Sequence, residues 1–243
     1  MNNIYVQKAR LSVRQLLVRA MLAGAFIALA GVASTWASMM VENPSLRRLI
    51  AGCIFPAGLA MIVLTGVELF TGNCLMSVAL FSKKIKLTQM LKNWAVVYIG
   101  NLMGAMGIAA LVARGGTFAS YEANIIATAH AKILEFDVAL CRGILCNILV
   151  CLGVVMAQKS EDAGSKVITM FFPVAAFVIA GYEHSVANMY YFSVAHFLGA
   201  TITLREILQY NLLPVTIGNI IGGSLILGGG LWFMSPRSDA KHT

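Results

Sequence analysis

Long stretches of the chain, among them 20–41, 93–113, 167–182 and 207–236, run without a single Asp, Glu, Lys or Arg. A helix crosses the hydrocarbon core with roughly 17–25 mainly apolar residues. Charged residues collect between such stretches, so the pattern predicts six spans, at 17–40, 49–82, 90–113, 138–158, 166–201 and 207–234. The second and fifth are too long for one straight crossing, and each has polar residues in its middle. Ahead of them, Lys8, Arg10 and Arg14 alternate with Ile4, Val6, Leu11 and Leu16. That is the pattern of an amphipathic helix lying at a membrane surface. The expected organisation is an N-terminal interfacial helix (1–16), one transmembrane domain (17–234) and a short tail (235–243). The fold class is an all-α membrane protein.

The spans fall into two similar halves, 17–113 and 138–234. The first carries F-P (Phe55, Pro56), E-L-F-T-G-N (Glu68 to Asn73) and V-V-Y-I-G-N-L-M-G (Val96 to Gly104). The second carries F-P (Phe172, Pro173), E-H-S-V-A-N (Glu183 to Asn188) and L-P-V-T-I-G-N-I-I-G (Leu213 to Gly222). Glu68 to Asn101 is 33 positions and Glu183 to Asn219 is 36. Matches in one order indicate an internal duplication. Three spans per half make the second copy enter from the opposite side, so the repeats are inverted. Broken helices in such folds bring irregular backbone to the midplane, where it lines a solute path. Backbone of that kind is tolerated only where it is buried or faces a cavity.

Composition agrees: 59% of the 243 residues are hydrophobic and 12% charged, against about 25% charged in soluble domains. The net charge of +8 comes from Lys and Arg at helix ends and in short loops. No basic stripe with interleaved aromatics is present, which argues against nucleic acid. Arg47, Arg48, Arg114, Lys132, Arg142 and Arg205 fall on one side of the predicted spans, and twice as many basic residues fall on the side of the N-terminus. The positive-inside rule then puts both termini in the cytoplasm of a protein of the inner (plasma) membrane. Met1 to Arg19 has no apolar core of its own, so no cleavable signal is expected. Cys53, Cys74, Cys141, Cys146 and Cys151 lie in apolar segments without metal-ligand spacing and read as packing residues. No metal and no cofactor is implied.

The candidate chemistry sits at the two breaks. Thr71 follows Leu69 and Phe70, and Gly72 is expected to let the chain turn there. Its hydroxyl faces either a passing solute or its own helix backbone. His184, beside Glu183, is a histidine in a membrane interior, a functional candidate by default and a group that titrates near neutrality. Glu68 and Glu183 hold equivalent places. Two buried carboxylates are costly unless bonded, and their expected task is to accept from backbone N–H groups freed at the breaks. Asn73, Asn101, Asn188 and Asn219 are expected to do similar work. Lys132 either attracts anions to the outer mouth or snorkels to the interface. Gly100, Gly104, Gly218 and Gly222 allow close helix contact.

These residues resemble the formate/nitrite transporter family of pentameric, aquaporin-like anion channels. The resemblance runs from A-M-L-A-G-A-F at 20–26 to the last span. Its most specific pieces are E-L-F-T-G-N at 68–73, G-I-L-C-N-I-L-V-C-L at 143–152, G-Y-E-H-S-V-A-N-M at 181–189 and N-L-L-P-V-T-I-G-N-I-I-G-G at 211–223. It implies that His184 is the pore histidine, Thr71 the hydroxyl facing it, and Lys132 the lysine that draws anions in. It implies that Glu183 and Asn147 support the histidine region. Phe55 and Phe177 would form an outer constriction and Leu59 and Leu69 an inner one, with Phe70 also among the constriction residues. It also implies a homopentamer with a lipid-filled centre, and formate as first substrate, with nitrite and hydrosulfide as alternatives.

Carrying a bare anion past two apolar constrictions costs tens of kcal/mol in a medium of dielectric about 4. Protonating an acid of pKa roughly 4 at pH 7 costs only about 4 kcal/mol. Passage as a neutral acid, with a proton donated or organised by His184, is therefore the expected mechanism. A neutral-solute pore is the rival class, but no paired N-P-A motif occurs. A membrane enzyme using His184 with Glu183 lacks any accompanying nucleophile or metal cluster.

Overall fold

The computed structural model describes residues 2–235, so the expected tail lies outside the described residues from position 236 onward. Among these residues every regular element is helical. Helix α1 (Asn2–Arg10) is shorter than the expected 1–16 segment. Ser12 then starts α2 (Val13–Ser38) with a capping box, its hydroxyl accepting from Gln15 N while the Gln15 side chain accepts from Ser12 N. This stop and restart separates α1 from the first span. Helix α1 is not free at the surface: Tyr5 is fully buried and bonds Gln158 at 3.3 Å.

The second expected span resolves into α3 (Pro44–Ile54), α4 (Pro56–Thr65) and a half-length piece. Pro56 has no N–H to give, and as the first residue of α4 it marks the join with α3. The half-length piece is α5 (Phe70–Asn73), a three-ten turn (Cys74–Met76) and α6 (Ser77–Phe81). Next come α7 (Leu87–Arg114), α8 (Glu122–His130) and α9 (Phe136–Lys159). The fifth expected span resolves into α10 (Ala163–Ala180) and α11 (Ser185–Phe197). Pro173 lies within α10, which runs on, so the matched F-P motif divides the helix only in the first half. The last span is α12 (Leu204–Ile207), α13 (Leu213–Ile220) and α14 (Gly229–Met234), joined by π-helical stretches Leu208–Leu212 and Ile221–Gly228. Among the described residues, six helices are long and apolar enough to cross a membrane: α2, α3–α4, α7, α9, α10 and α12–α14. The chain is a multi-pass membrane protein.

Both interrupted helices end on a left-handed glycine, Gly66 (φ 69°) and Gly181 (φ 72°), each returning its N–H to the last turn. Only glycine adopts that conformation without strain. This corrects the expectation for Gly72, which sits inside α5; the turn is made six residues earlier. Helix α8 was not expected. It is a single short element whose Ala129 packs with Phe192 and Ala195 of α11 while Ile125 is buried in the main core, and Lys132 follows its C-terminal end.

The halves close on glycines. In the first, α2 crosses α7 so tightly that a Cβ at Gly24 would collide with Asn101 O, and one at Gly104 with Met21 O. In the second, Gly143 abuts Val215 O, Gly218 abuts Leu140 O and Gly222 abuts Ile144 O as α9 crosses the last span. Small residues let membrane helices approach backbone to backbone. Ser224, in the second π-helical stretch, donates to Cys74 O at 2.9 Å and accepts from Ser77 at 3.0 Å, tying the last span to the three-ten turn.

Gly104→Ala is therefore expected to destabilise the detergent-purified protein by about 1–3 kcal/mol through overpacking. Gly107→Ala, on the same helix with nothing within 4 Å of its β position, is expected to be neutral or slightly stabilising. Thermal unfolding of the two variants checks the contrast.

Candidate functional site

Each break frees backbone groups, and one asparagine per half collects them. Asn101 on α7 accepts from Phe70 N at 2.9 Å and donates to Glu68 O (3.0 Å) and Ala20 O (2.7 Å). Asn219 on α13 accepts from Ser185 N at 3.0 Å and donates to Glu183 O (3.0 Å) and Gly143 O (2.8 Å). The amide offers an acceptor and two donors in one plane, which is what a helix start beside an irregular strand of backbone requires. Asn147 on α9 then bridges the halves, donating to Thr71 O at 3.2 Å and Asn219 O at 2.6 Å. It touches the two breaks rather than the imidazole.

The carboxylates do something other than expected. Glu68 is 2% exposed and accepts from Asn73 Nδ2 (2.7 Å) and from Lys8 Nζ (2.8 Å). Glu183, 4% exposed, accepts from Asn188 Nδ2 (2.7 Å) and from Lys132 Nζ at 3.1 and 3.3 Å. The freed N–H groups go to the asparagines, and the carboxylates take lysines and amides. Helix starts need only one acceptor, whereas a buried carboxylate needs a countercharge.

A second asparagine completes each cluster. Asn93 accepts from Asn73 and donates to Lys8 O; Asn211 accepts from Asn188 and donates to Lys132 O. The two clusters are near-copies that differ in detail: Asn211 reaches Glu183 at 3.4 Å, a bond the first cluster does not repeat. Lys8 also donates to Asn73 Oδ1 at 2.9 Å, whereas Lys132 spends both bonds on Glu183 and Asn188 Oδ1 has no partner. Lys8, Asn93 and Asn211 were missed from sequence. Asn73 to Asn93 is 20 positions and Asn188 to Asn211 is 23, the three-residue offset already seen for Asn101 and Asn219; that signal would have found the asparagines. Nothing in the spacing reveals Lys8, 60 residues from Glu68.

His184 and Thr71 meet across the breaks at 2.9 Å between Nε2 and Oγ1, both buried. His184 is also the N-cap of α11, its Nδ1 accepting from Ala187 N at 3.1 Å. A backbone N–H only donates, so Nδ1 carries no proton in this arrangement and the hydrogen sits on Nε2, directed at Thr71. The first half has no counterpart: Leu69 leads α5 with no capping side chain.

Around His184 is a small chamber, about 10 Å³, lined by Ile27, Phe55, Leu59, Leu69, Val150, Val174 and Phe177. Phe55 and Phe177 meet edge to face at 5.8 Å, and Phe177 stacks on the imidazole at 5.9 Å. Leu59 and Leu69 also line a larger vestibule of about 490 Å³ on the side of the N-terminus, with Tyr5, Lys8, Glu68 and Lys166. Those two leucines thus stand between vestibule and chamber. Phe70 does not join them. Its ring packs against Trp94 (6.1 Å) and Tyr98 (4.9 Å) on α7, because in a helix start the next side chain points about 100° away. Thr71 lines neither cavity, and its hydroxyl is turned to the histidine.

Lys8→Met strands Glu68 as a buried, uncompensated charge and is expected to cost roughly 3–5 kcal/mol. Glu68→Gln is expected to cost less, because the Lys8 side chain is 19% exposed in the vestibule against 3% for Glu68. The Lys8→Met/Glu68→Gln double variant is expected to recover much of the Lys8→Met loss in thermal unfolding. Separately, ¹⁵N NMR of His184 is expected to show a protonated Nε2 and an unprotonated Nδ1.

A family model described as "Formate/nitrite transporter" matches residues 1–233. A probable formate transporter of Methanothermobacter thermautotrophicus is 34% identical, over 93% of this chain and 90% of that one. The formate channel FocA of Escherichia coli K12 is 36% identical, over 92% and 87%. Among solved structures, an "FNT family ion channel" superposes with a TM-score of 0.87 at 32% identity, covering 97% of both chains. A "Pentameric formate channel with formate bound" gives 0.78 at 29% identity, covering 91% of this chain and 96% of that one. With a family model spanning nearly its whole length, this multi-pass chain of paired, interrupted helices belongs to the formate/nitrite transporter family.

Proposed function

We propose that the protein is a channel for small monovalent weak-acid anions, formate first, which pass the chamber as neutral acids. The observation that carries this reading is the chamber itself. A volume near one water, walled by apolar side chains and a single imidazole, cannot supply the hydration an anion gives up. Protonation at about 4 kcal/mol for an acid of pKa roughly 4 is the cheaper route. Relatives named as formate channels, and the formate-bound pentamer, support formate and a homopentameric assembly.

The residues then divide the work. Leu59 with Leu69, and Phe55 with Phe177, exclude water at the two ends of the chamber. His184 organises the proton rather than giving up its own. Its Nδ1 is held by the helix cap, and taking a proton there would break that bond. Nε2–H offers a hydrogen bond to the passing acid in place of Thr71. The lysine–carboxylate pairs hold the breaks in place while carrying no net charge. Both termini lie in the cytoplasm by the charge count, and lipid fills the centre of the pentamer.

Formate uptake into liposomes is expected to rise about tenfold per unit fall in pH while pH stays above the acid's pKa, since the neutral fraction does so. His184→Asn, which keeps a donor, is expected to lower the rate and keep the slope. A wild-type rate flat between roughly pH 5 and 8 would sink the neutral-acid reading. A flux panel of formate, nitrite and hydrosulfide orders the substrates.

A further inference from the structure

Resting on the anion-transport reading above, we propose that Arg48 is the residue that draws anions to the mouth opposite the N-terminal vestibule. Lys132 is poorly suited to that task alone. Its ammonium is 3.1 Å from the Glu183 carboxylate and 5.1 Å over the Tyr191 ring, so the pair presents a dipole and no net charge. Nor does the rest of that face help. Arg47, Arg48, Arg114, Lys132, Arg142 and Arg205 are matched one for one by Glu42, Glu122, Glu135, Asp137, Glu183 and Glu206. Attraction there must come from a local, unpaired cation.

Arg48 is placed to be that cation. It lies on α3 seven residues before Phe55, two helical turns or about 10 Å, and therefore on the same face. Its guanidinium carbon and Nη2 are 4.0 Å from the β position of Gly181, where α10 ends one turn beyond Phe177. The guanidinium thus lies beyond the Phe55–Phe177 pair, on the side away from the vestibule. It is exposed, and among the described residues it forms no ion pair or hydrogen bond. Its neighbour Arg47, by contrast, is tied to Val41 O at 2.7 Å. The inverted repeat offers the reciprocal arrangement: Lys166, near the start of α10, lines the vestibule with Gly66 and Arg19. On that side basic residues outnumber acidic ones, so a single residue matters less.

The test is the half-saturation concentration for formate uptake into liposomes at ionic strengths of about 0.01 and 1 M, where screening lengths are about 30 and 3 Å. One unit charge at about 10 Å in water changes local anion concentration about twofold. Arg48→Gln is expected to raise half-saturation about twofold and Arg48→Glu about fourfold at low salt, with the maximal rate unchanged and the difference gone at high salt. Arg48→Lys restores the wild-type value, and Arg114→Glu, with the same change in net charge as Arg48→Glu, stays within about twofold. Liposomes hold both orientations, so the Arg48→Glu curve splits into a shifted and an unshifted phase. A wild-type half-saturation that ignores salt, or Arg48→Glu indistinguishable from Arg114→Glu, overturns the role of Arg48. Absence of wild-type formate flux would overturn the transport reading instead.

Discussion

An interrupted helix in a membrane interior must find partners for the backbone groups it frees, because no water is there to take them. Everything at the centre of this protein follows from that requirement. Two helices stop at Gly66 and Gly181, and two shorter ones restart at Phe70 and Ser185. Asn101 and Asn219 join each stop to each restart through one acceptor and two donated bonds. Those asparagines sit next to the glycines that let α2 meet α7 and α9 meet the last span, so the tight crossings and the satisfied breaks are one construction. Asn147 ties the two constructions together across the pseudo-two-fold.

On that shared frame the two halves diverge. The first restart is a short helix that passes into a three-ten turn, and its buried Thr71 hydroxyl is turned to the second restart, where it meets His184. The second is a continuous helix capped by His184. Because the cap occupies Nδ1, only Nε2 is left for Thr71 or for a solute. The same duplication sets a lysine–glutamate pair near each mouth, and each pair cancels its own charge. Charge that acts at a distance has to come from residues outside those pairs, and the two faces differ sharply in how much of it they have.

Much of this was legible in the chain. The uncharged stretches located the spans, the repeated E-x-x-x-x-N and G-N motifs located the breaks, and the lone interior histidine marked the second restart. Other features were not. Gly72 looked like the turn because it sits in the motif, while the left-handed position falls to Gly66, outside it. Phe70 looked like a pore residue because it adjoins Leu69, but a step of one residue turns it onto Trp94 and Tyr98. Helix α8 escaped notice because nine residues with two buried positions make a weak periodic signal.

Hydrophobic length and internal repetition are properties of the chain itself, and by themselves they determined a six-span membrane protein of two inverted halves with two interruptions. Which side chains meet at those interruptions was decided only by the tertiary structure. Lys8 reaches Glu68 from 60 residues away and Lys132 reaches Glu183 from 51, distances along the chain that no local pattern encodes. A buried carboxylate imposes the need for a cation, but the packing of α1 and the end of α8 against the breaks selects which cation answers it.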